Sequence, residues 1–403
     1  MTSSAGVKGR TASPASEEHQ RIIEKCQRIY YDVRLEDVAK WKQEDKSRRV
    51  VGYLPVYAPP EIFVGSGVRP IAVFGGGDQI NVIRGDSYYQ SYICHLPRSL
   101  VDLGLTDWRE TLDGLVCPAI CDVIRNVSGV WQVLFPEKLV YFLDVPQNFD
   151  PACGGKFYRH ELLDLAERLC QLSGRKIQPA SYSEAIKSYN KTRRAVRELV
   201  ELRVERPHWV PAWEFYLVMR AGDQLPADEH TSLIKRYIDL VSKLDRPELD
   251  NARIMIVGGF CEQPPLNLIR TIERSGCYIV DDDFTLGKRF LEEDVEEGGD
   301  PFDALVNAYL EHSTFSSVKY EQDIPKTQRL VEAARQKRAD GVLLMSPSFC
   351  DPSLLDRPHF QRALDEANIP YSALQYAENL GQFAPIREQT GTFAEAIKLW
   401  GDG

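Results

Sequence analysis

Short apolar runs alternate with helix-like segments in two stretches of the chain, and this alternation limits its fold more than any other feature. The first stretch contains four such runs, at residues 50–54, 70–74, 112–116 and 139–143. The second contains four more, at residues 253–257, 278–280, 341–345 and 371–374. Strands buried on both faces read as continuous apolar runs, and strands that alternate with helices form parallel sheets. The sequence therefore predicts an α/β fold with two parallel-sheet lobes of the flavodoxin or Rossmann-like kind.

Two other segments have helical patterns without strand-like runs. In residues 17–46, the residues Ile22, Ile23, Cys26, Ile29 and Tyr30 have the spacing of one buried helix face. Amphipathic stretches also dominate the middle of the chain, as in Tyr182 to Arg203 and His230 to Lys243. The predicted divisions are a disordered leader (1–16), a helical N-terminal segment (17–46), a first α/β lobe (47–157), a helical region inserted between the lobes (158–250) and a second α/β lobe (251–403).

The charge and hydropathy of the chain exclude two classes of partner. The 49 Lys and Arg residues and the 59 Asp and Glu residues give a net charge of −10, which opposes a phosphate-binding surface. No uncharged run approaches the roughly 20 apolar residues that a membrane-spanning helix requires. The first residues are polar and lack the apolar core of a secretory signal. We therefore expect a cytoplasmic protein that binds neither nucleic acid nor membrane.

Nine cysteines occur in the chain, and three of them lie where a predicted strand gives way to a helix. These three are Cys94, Cys121 and Cys350. In a reducing compartment such thiols are metal ligands or core residues rather than disulfides. The positive end of a helix dipole would favour an electron-rich thiolate cluster at these positions. The pattern indicates an iron–sulfur site formed where two lobes face each other.

Taken singly, however, a free cysteine is more often a small buried hydrophobe than a ligand. We assign this structural role to Cys26, Cys153, Cys170, Cys261 and Cys277. Cys117 competes with Cys121, since it lies four residues away and also near a strand end. Because Pro118 follows Cys117, we expect Cys117 at the end of the strand and Cys121 at the start of the helix. No ferredoxin-type cysteine run or paired zinc motif is present to decide between them.

The motifs of several enzyme classes are missing. The run Gly75 to Gln79 follows a predicted strand, but it lacks the Gly-x-Gly-x-x-Gly spacing of a dinucleotide site and is read as a tight turn. No phosphate-binding loop of the Gly-x-x-x-x-Gly-Lys type occurs either. The acidic run Asp281 to Asp283 is typical of a solvated strand end rather than of a metal site. The chain is therefore not expected to bind ATP or NAD itself.

Several short motifs resemble one family. They are Pro60-Glu61, Gly67-Val68-Arg69-Pro70, Gly75-Gly76-Gly77-Asp78-Gln79, Arg84-Gly85-Asp86, Tyr92-Ile93-Cys94, His95-Leu96-Pro97-Arg98-Ser99, Cys121-Asp122, Arg125-Asn126, Pro146-Gln147-Asn148 and Phe349-Cys350-Asp351-Pro352. This combination resembles the 2-hydroxyacyl-CoA dehydratase and benzoyl-CoA reductase superfamily, over nearly the whole chain after about residue 20. Within it, the motifs are similar to the C-type (gamma) subunits of ATP-dependent class I benzoyl-CoA reductases.

The resemblance implies a cofactor, partners and a reaction. It implies a [4Fe–4S] cluster held by Cys94, Cys121 and Cys350, with one iron that has no protein thiolate. It implies a hetero-oligomer containing a sister catalytic subunit and two ATPase or activator-type subunits, with ferredoxin as the electron donor. The implied reaction is the two-electron dearomatisation of an aromatic acyl-CoA, benzoyl-CoA, to cyclohexa-1,5-diene-1-carbonyl-CoA during anaerobic degradation.

Three further residues are candidates for orienting or protonating groups around such a cluster. They are Glu61, His95 and Arg98. Glu61 also suits a purely structural role as an acid in the first turn of a helix, and His95 also suits a loop hydrogen bond. Two alternative functions remain open: a subunit of a radical 2-hydroxyacyl-CoA dehydratase, which is a lyase, and a cluster-carrying partner that is not itself catalytic.

Overall fold

The computed structural model of the protein describes residues 13–259, 264–314, 316, 319, 325–377 and 383–400. It contains two sheets, each of four parallel strands. The first sheet comprises β1 (Val50–Tyr53), β2 (Arg69–Ala72), β3 (Gly114–Pro118) and β4 (Leu139–Leu143). The second comprises β5 (Ala252–Val257), β6 (Cys277–Asp282), β7 (Gly341–Pro347) and β8 (Tyr371–Tyr376). The predicted α/β fold with two parallel-sheet lobes is confirmed.

Both sheets have the same strand order. The order is β2-β1-β3-β4 in the first lobe and β6-β5-β7-β8 in the second, so the lobes share one topology. In the first sheet β2 and β3 lie on opposite sides of β1, and in the second sheet β6 and β7 lie on opposite sides of β5. The strand order therefore changes direction between β1 and β3 and between β5 and β7. Open α/β sheets bind ligands outside the carboxyl ends of the strands at this switch point. The fold therefore provides two equivalent crevices, one in each lobe.

Fifteen α-helices surround and connect the sheets in the described part of the chain. Those before the second sheet are α1 (Pro14–Tyr31), α2 (Glu36–Gln43), α3 (Pro60–Gly65), α4 (His95–Leu105), α5 (Asp122–Leu134), α6 (Lys156–Ser173), α7 (Pro179–Glu205), α8 (Ala212–Ala221) and α9 (Ala227–Val241). Those within the second lobe's sequence are α10 (Leu266–Arg274), α11 (Leu286–Arg289), α12 (Pro301–His312), α13 (Lys326–Gln336), α14 (Asp351–Glu366) and α15 (Ala384–Trp400). None of these described helices has the length and apolar character needed to cross a membrane.

Helix α1 illustrates how local sequence sets an element and its packing. Ser13 caps the helix by accepting a hydrogen bond from the Ser16 N–H, and Pro14 occupies the first turn, where its missing N–H costs nothing. Its buried face includes Ile23, Cys26 and Ile29, at the spacing of an amphipathic helix. These side chains pack against α8 and α9 and belong to the apolar cluster that also includes the second sheet, although α1 precedes the first lobe in sequence.

The second half of the chain likewise contributes side chains to the apolar core of the first lobe. Residues of α11 and α12, including Phe302 and Tyr309, belong to the apolar core of the first lobe. The Tyr309 ring packs against Tyr57 and Tyr158, and the Tyr309 hydroxyl donates to the Pro146 carbonyl oxygen. Each of the two apolar cores thus includes a helix that lies outside its own lobe in sequence.

Candidate functional site

Each of the three cysteines predicted as ligands is the N-cap residue of a helix. Cys94 precedes α4, Cys121 precedes α5 and Cys350 precedes α14. All three are partly buried. The backbone N–H groups of a first helical turn have no partner within the helix, and their dipoles favour negative charge. The helix N-termini therefore favour negative charge at all three positions, although burial opposes it at Cys121.

Cys121 and Cys350 have equivalent places in the two lobes. Cys121 follows β3 and Cys350 follows β7, each the third strand of its sheet, and both lie at a switch point. The carboxylate of Asp351, in the first turn of α14, is near enough to act on the Cys121 thiol. Burial raises the pKa of Cys121, and the charges of Asp122 and Asp351 add to this, whereas the N–H groups of Ile124 and Val123 oppose it. The helix that follows β7 thus begins close enough to Cys121 for an electrostatic interaction.

Cys94 is separated from its sheet by a much longer loop than the other two cysteines. Strand β2 ends at Ala72, and a long loop with two short 3-10 turns, Gly77–Gln79 and Gly85–Tyr88, leads to Cys94. Cys94 lies between a strand and a helix, as expected, although the chain leaves the sheet well before it. Cys94 still belongs to the connection that follows β2, on the same lobe as Cys121.

Helix α4 holds this loop in place. Oδ2 of Asp102 accepts hydrogen bonds from the N–H groups of Ile83, Arg84 and Gly85, at 2.7, 2.7 and 3.0 Å. The loop passes so close to the helix that a Cβ atom on Gly85 would lie 1.9 Å from the Arg98 carbonyl oxygen. Only glycine permits this approach. The segment before Cys94 is therefore fixed to the helix that Cys94 begins.

The two predicted candidates on α4 lie in its first turn. His95 is its first residue and is buried. The guanidinium of Arg98 donates to the Ile93 carbonyl oxygen at 2.8 Å and to Asp86 Oδ1 at 3.2 Å. Its Nε–H is buried without a partner among the described residues. Arg98 thus steadies the residue before Cys94 and keeps one donor unused.

Tyr89 is a residue that the sequence analysis missed. Its hydroxyl is buried and has no hydrogen-bond partner in the described part of the chain. Burial raises the pKa of Tyr89, and the thiols of Cys117 and Cys94 lie close enough to raise it further. An unpaired buried hydroxyl costs about 1–3 kcal/mol, so its retention indicates a missing partner. The only signal in the sequence was its position in the loop before Cys94.

Cys117 differs from Cys121 in its surroundings. It lies within β3, one residue before the strand ends at Pro118, and is completely buried in the core of the first lobe. Burial strongly raises the pKa of its thiol, and no charge compensates. A thiol in this environment is inert.

The other cysteines follow the structural prediction with one exception. Cys26, Cys170 and Cys277 are buried, whereas Cys153 is exposed in the turn Pro151–Gly155, contrary to expectation. Its side chain therefore fills no part of a core. Cys261 lies outside the described residues.

Glu61, the third predicted candidate, has a structural partner. It lies in the first turn of α3 and is completely buried, and its Oε1 accepts a hydrogen bond from the Arg193 guanidinium of α7. Arg193 also donates to Asn190, whose side chain bonds the backbone of Val295 from both of its polar atoms. This network joins the first lobe, the helical region and the second lobe. Oε2 of Glu61 has no partner among the described residues.

The backbone next to Cys350 is strained. Phe349 has a φ of 65°, in the left-handed region that residues with side chains rarely adopt, and its ring is 51% exposed. Such strain is retained at functional sites, where the surrounding structure imposes it. Because Phe349 is largely exposed, apolar packing of its side chain does not explain the strained conformation of the loop before Cys350.

A charged cavity of about 310 Å³ lies beside the carboxyl end of β6. The carboxylates of Asp281, Asp282 and Asp283 line it, together with basic side chains that include Arg289 and Lys337. Asp281 pairs with Arg289 at 2.8 Å, and Asp283 accepts a hydrogen bond from the Gly258 N–H at 2.7 Å. Burial, with the like charges of Asp281 and Asp282, raises the pKa of Asp283 to about 7.

The three thiols do not form a site for a single metal ion in the described part of the chain. No three His, Cys, Asp or Glu side chains among the described residues are grouped so that they would hold one metal ion. A mononuclear site needs ligands within about 2.3 Å of one centre. In an iron–sulfur cubane each thiolate binds a different iron, so the sulfurs need not converge on a point. All three thiols are partly buried, and the Tyr89 hydroxyl and the Arg98 Nε–H, near Cys94 in sequence, have no partner among the described residues.

Comparison with known proteins gives one family match over most of the chain. The family described as 2-hydroxyglutaryl-CoA dehydratase, D-component, matches residues 55–397. The C-type subunit of benzoyl-CoA reductase from Thauera aromatica is 47% identical over 380 residues, which cover 94% of this chain and 98% of that protein.

Two dehydratase subunits are similar at lower identity. The beta subunit of (R)-2-hydroxyglutaryl-CoA dehydratase from Acidaminococcus fermentans is 25% identical, with 89% of this chain and 95% of that protein covered. The beta subunit of (R)-phenyllactyl-CoA dehydratase from Clostridium sporogenes is 22% identical, with 88% and 93% covered.

Proposed function

The chain belongs to the 2-hydroxyglutaryl-CoA dehydratase D-component family, and on this premise we propose that it is the iron–sulfur catalytic subunit of an aromatic acyl-CoA reductase of the benzoyl-CoA type. The complex reduces the aromatic ring to a cyclohexa-1,5-diene-1-carbonyl-CoA in anaerobic aromatic degradation. It is an oxidoreductase that depends on ferredoxin and on ATP hydrolysis.

This proposal rests mainly on one comparison. The identity to a benzoyl-CoA reductase subunit is about twice the identity to the dehydratase subunits, over a similar share of the chain. Reductase and dehydratase subunits share a family, so family membership alone does not separate the two reactions. The higher identity favours ring reduction over dehydration.

Cys94, Cys121 and Cys350 hold a [4Fe–4S] cluster in this proposal. Their positions at three helix N-termini, two in the first lobe and one in the second, support this assignment. When bound, such a cluster supplies single electrons at low potential and one iron without a protein thiolate. The protein's part is to bind the acyl-CoA, to orient its thioester and to exclude water from the site.

His95, Arg98 and Glu61 have different parts in this proposal. His95 and Arg98 lie in the first turn of α4, directly after Cys94, where they orient or protonate a group held near that thiol. Glu61 acts at a distance, since its bond to Arg193 fixes α3 against α7. It is an orienting residue rather than a proton donor.

The proposed complex has several subunits. The related proteins are themselves named as subunits, which supports a sister catalytic subunit. The chain lacks the sequence motifs for ATP binding, so ATP hydrolysis is assigned to two separate ATPase or activator-type subunits that receive electrons from ferredoxin. We place the complex in the cytoplasm.

The competing function is that of a 2-hydroxyacyl-CoA dehydratase subunit. The two reactions differ in electron use, because reduction consumes two electrons in each turnover whereas a radical dehydration returns its single electron. The test measures reduced ferredoxin and ATP consumed per product formed by the anaerobically purified complex. Continuous consumption in proportion to product supports ring reduction. One activating electron followed by many turnovers contradicts it and supports the lyase.

The same complex tests whether this subunit is catalytic rather than a carrier of the cluster. We expect benzoyl-CoA to change the electron paramagnetic resonance spectrum of the wild-type complex, and the Cys350→Ser variant to lose that change. A substrate-dependent change that persists in Cys350→Ser would assign the substrate to the sister subunit.

A further inference from the structure

Tyr89 has a buried hydroxyl that is available to bind a ligand. Its hydroxyl is buried and unpaired within the described residues, while the ring packs against the apolar core of the first lobe. A buried phenol normally finds a partner, and one that has none in the protein alone points to a ligand.

The loop that carries Tyr89 has little freedom to provide another partner. Asp102 binds three successive N–H groups just before it, and Arg98 binds Asp86 on one side and Ile93 on the other. The close approach at Gly85 restricts the loop further. The position of the Tyr89 hydroxyl is therefore set by the fold rather than by a hydrogen bond of its own.

The surroundings of the hydroxyl indicate which group it meets. The thiols of Cys94 and Cys117 are both close enough to act on it electrostatically. Cys117 is completely buried within a strand, so its thiol is inaccessible to a ligand. Cys94 is partly exposed at a helix N-terminus, and it is the thiol beside which a cofactor can bind.

We propose that the Tyr89 hydroxyl donates a hydrogen bond to a sulfur atom of the cluster bound through Cys94. This inference rests on the proposed iron–sulfur function and adds to it a residue that tunes the cluster. Hydrogen bonds to cluster sulfurs stabilise the more negative, reduced form, and so they raise the reduction potential. Tyr89 would make the cluster easier to reduce by the ATP-driven partner.

The test compares the Tyr89→Phe variant with the wild-type complex, purified anaerobically. We expect Tyr89→Phe to keep its iron and to shift the reduction potential of the cluster to more negative values. We also expect loss of an exchangeable proton coupled to the reduced cluster, seen by electron–nuclear double resonance after transfer to D₂O. Tyr31→Phe removes a hydroxyl from a ring that is 53% exposed on α1, and it should change neither reading.

Two results would overturn the inference. An unchanged potential with the coupled proton retained means that Tyr89 does not contact the cluster. An unchanged potential with a raised KM for the acyl-CoA means that its partner is the substrate instead. Failure of the proposed function is recognised separately, because Cys94→Ser would then leave the iron content of the complex unchanged.

Discussion

Cys121 and Cys350 occupy the same position in the two lobes, each as the N-cap of the helix that follows the third strand of a four-stranded parallel sheet. Asp351, next to Cys350, is close enough to act on the Cys121 thiol. Residues at the carboxyl ends of the two sheets therefore lie close enough to interact. Cys94 lies in the loop that follows β2, so two of the three proposed ligands come from the first lobe and one from the second.

Substitution of Cys117 separates a structural cysteine from a ligand. We expect Cys117→Ser to keep its iron, because its thiol lies inside β3. The variant should nevertheless lose about 1–3 kcal/mol of stability, since the serine hydroxyl would be buried without a partner. Thermal unfolding and iron analysis of the same preparation check both parts. Loss of iron from Cys117→Ser, with iron retained in Cys121→Ser, would reverse the assignment.

A methyl group at Gly85 is expected to disturb the site from a distance. In Gly85→Ala the new Cβ would collide with the Arg98 carbonyl oxygen, so the loop must move away from α4. We predict a several-fold loss of iron occupancy, measured per subunit after anaerobic purification. Gly298→Ala is the control, because a Cβ there meets nothing within 4 Å. Equal iron content in the two variants would show that this loop does not position Cys94.

The buried pair of Glu61 and Arg193 should contribute strongly to stability. Glu61→Gln leaves the Arg193 guanidinium buried without its counter-charge, which costs about 3–5 kcal/mol. The comparison is Glu184→Gln, which breaks the exposed pair with Lys187 and should cost far less stability, because solvent screens that pair. Urea unfolding measures both. If the folded Glu61→Gln complex has the wild-type turnover rate per cluster, Glu61 has no orienting role.

Asp283 gives the stability a defined pH dependence. Its pKa is about 7 in the folded chain against an ordinary value of 3.8, so between these values the folded chain binds a proton that the unfolded chain has released. Stability should therefore fall as the pH rises through this window. Asp283→Asn should remove this loss of stability. Its free energy of unfolding should exceed that of the wild type by about 1–4 kcal/mol near pH 8 and by little near pH 4.

Asp281 is the matched control with the opposite sign. Although its burial raises the pKa of Asp281, the charges of Arg289, Lys337 and Arg203 hold it below the ordinary value. Its ionised form therefore stabilises the fold at neutral pH, and Asp281→Asn should be destabilising there. A gain for Asp281→Asn at neutral pH, or none for Asp283→Asn near pH 8, would contradict these assignments.

Much of the fold followed from local patterns. Each of the eight apolar runs overlaps an observed strand, because strands buried on both faces keep a continuous apolar sequence. The beginnings of the helices after Cys121 and Cys350 could be predicted from the acidic residue that follows each cysteine. These features depend on neighbours in sequence, which periodicity and capping preferences describe well. The predicted domain limits remain a prediction.

The features that sequence patterns missed depend on tertiary contacts. Glu61 contacts Arg193, which lies 132 positions later in the chain, and α1 and α12 each pack into an apolar core far from their own place in the sequence. The unpaired hydroxyl of Tyr89 is defined by what surrounds it, and an isolated tyrosine in a loop has no distinctive pattern. The exposure of Cys153 likewise reflects a surface turn rather than its residue type.

Iron and acid-labile sulfide analysis of single Cys→Ser variants tests the central claim most directly. Cys94→Ser, Cys121→Ser and Cys350→Ser are each compared with the exposed Cys153→Ser in the anaerobically co-expressed complex. The account predicts that each of the three loses about four iron and four sulfide per subunit, while Cys153→Ser loses none. Wild-type iron and sulfide in the Cys350→Ser complex would contradict it, because the second lobe would then supply no ligand.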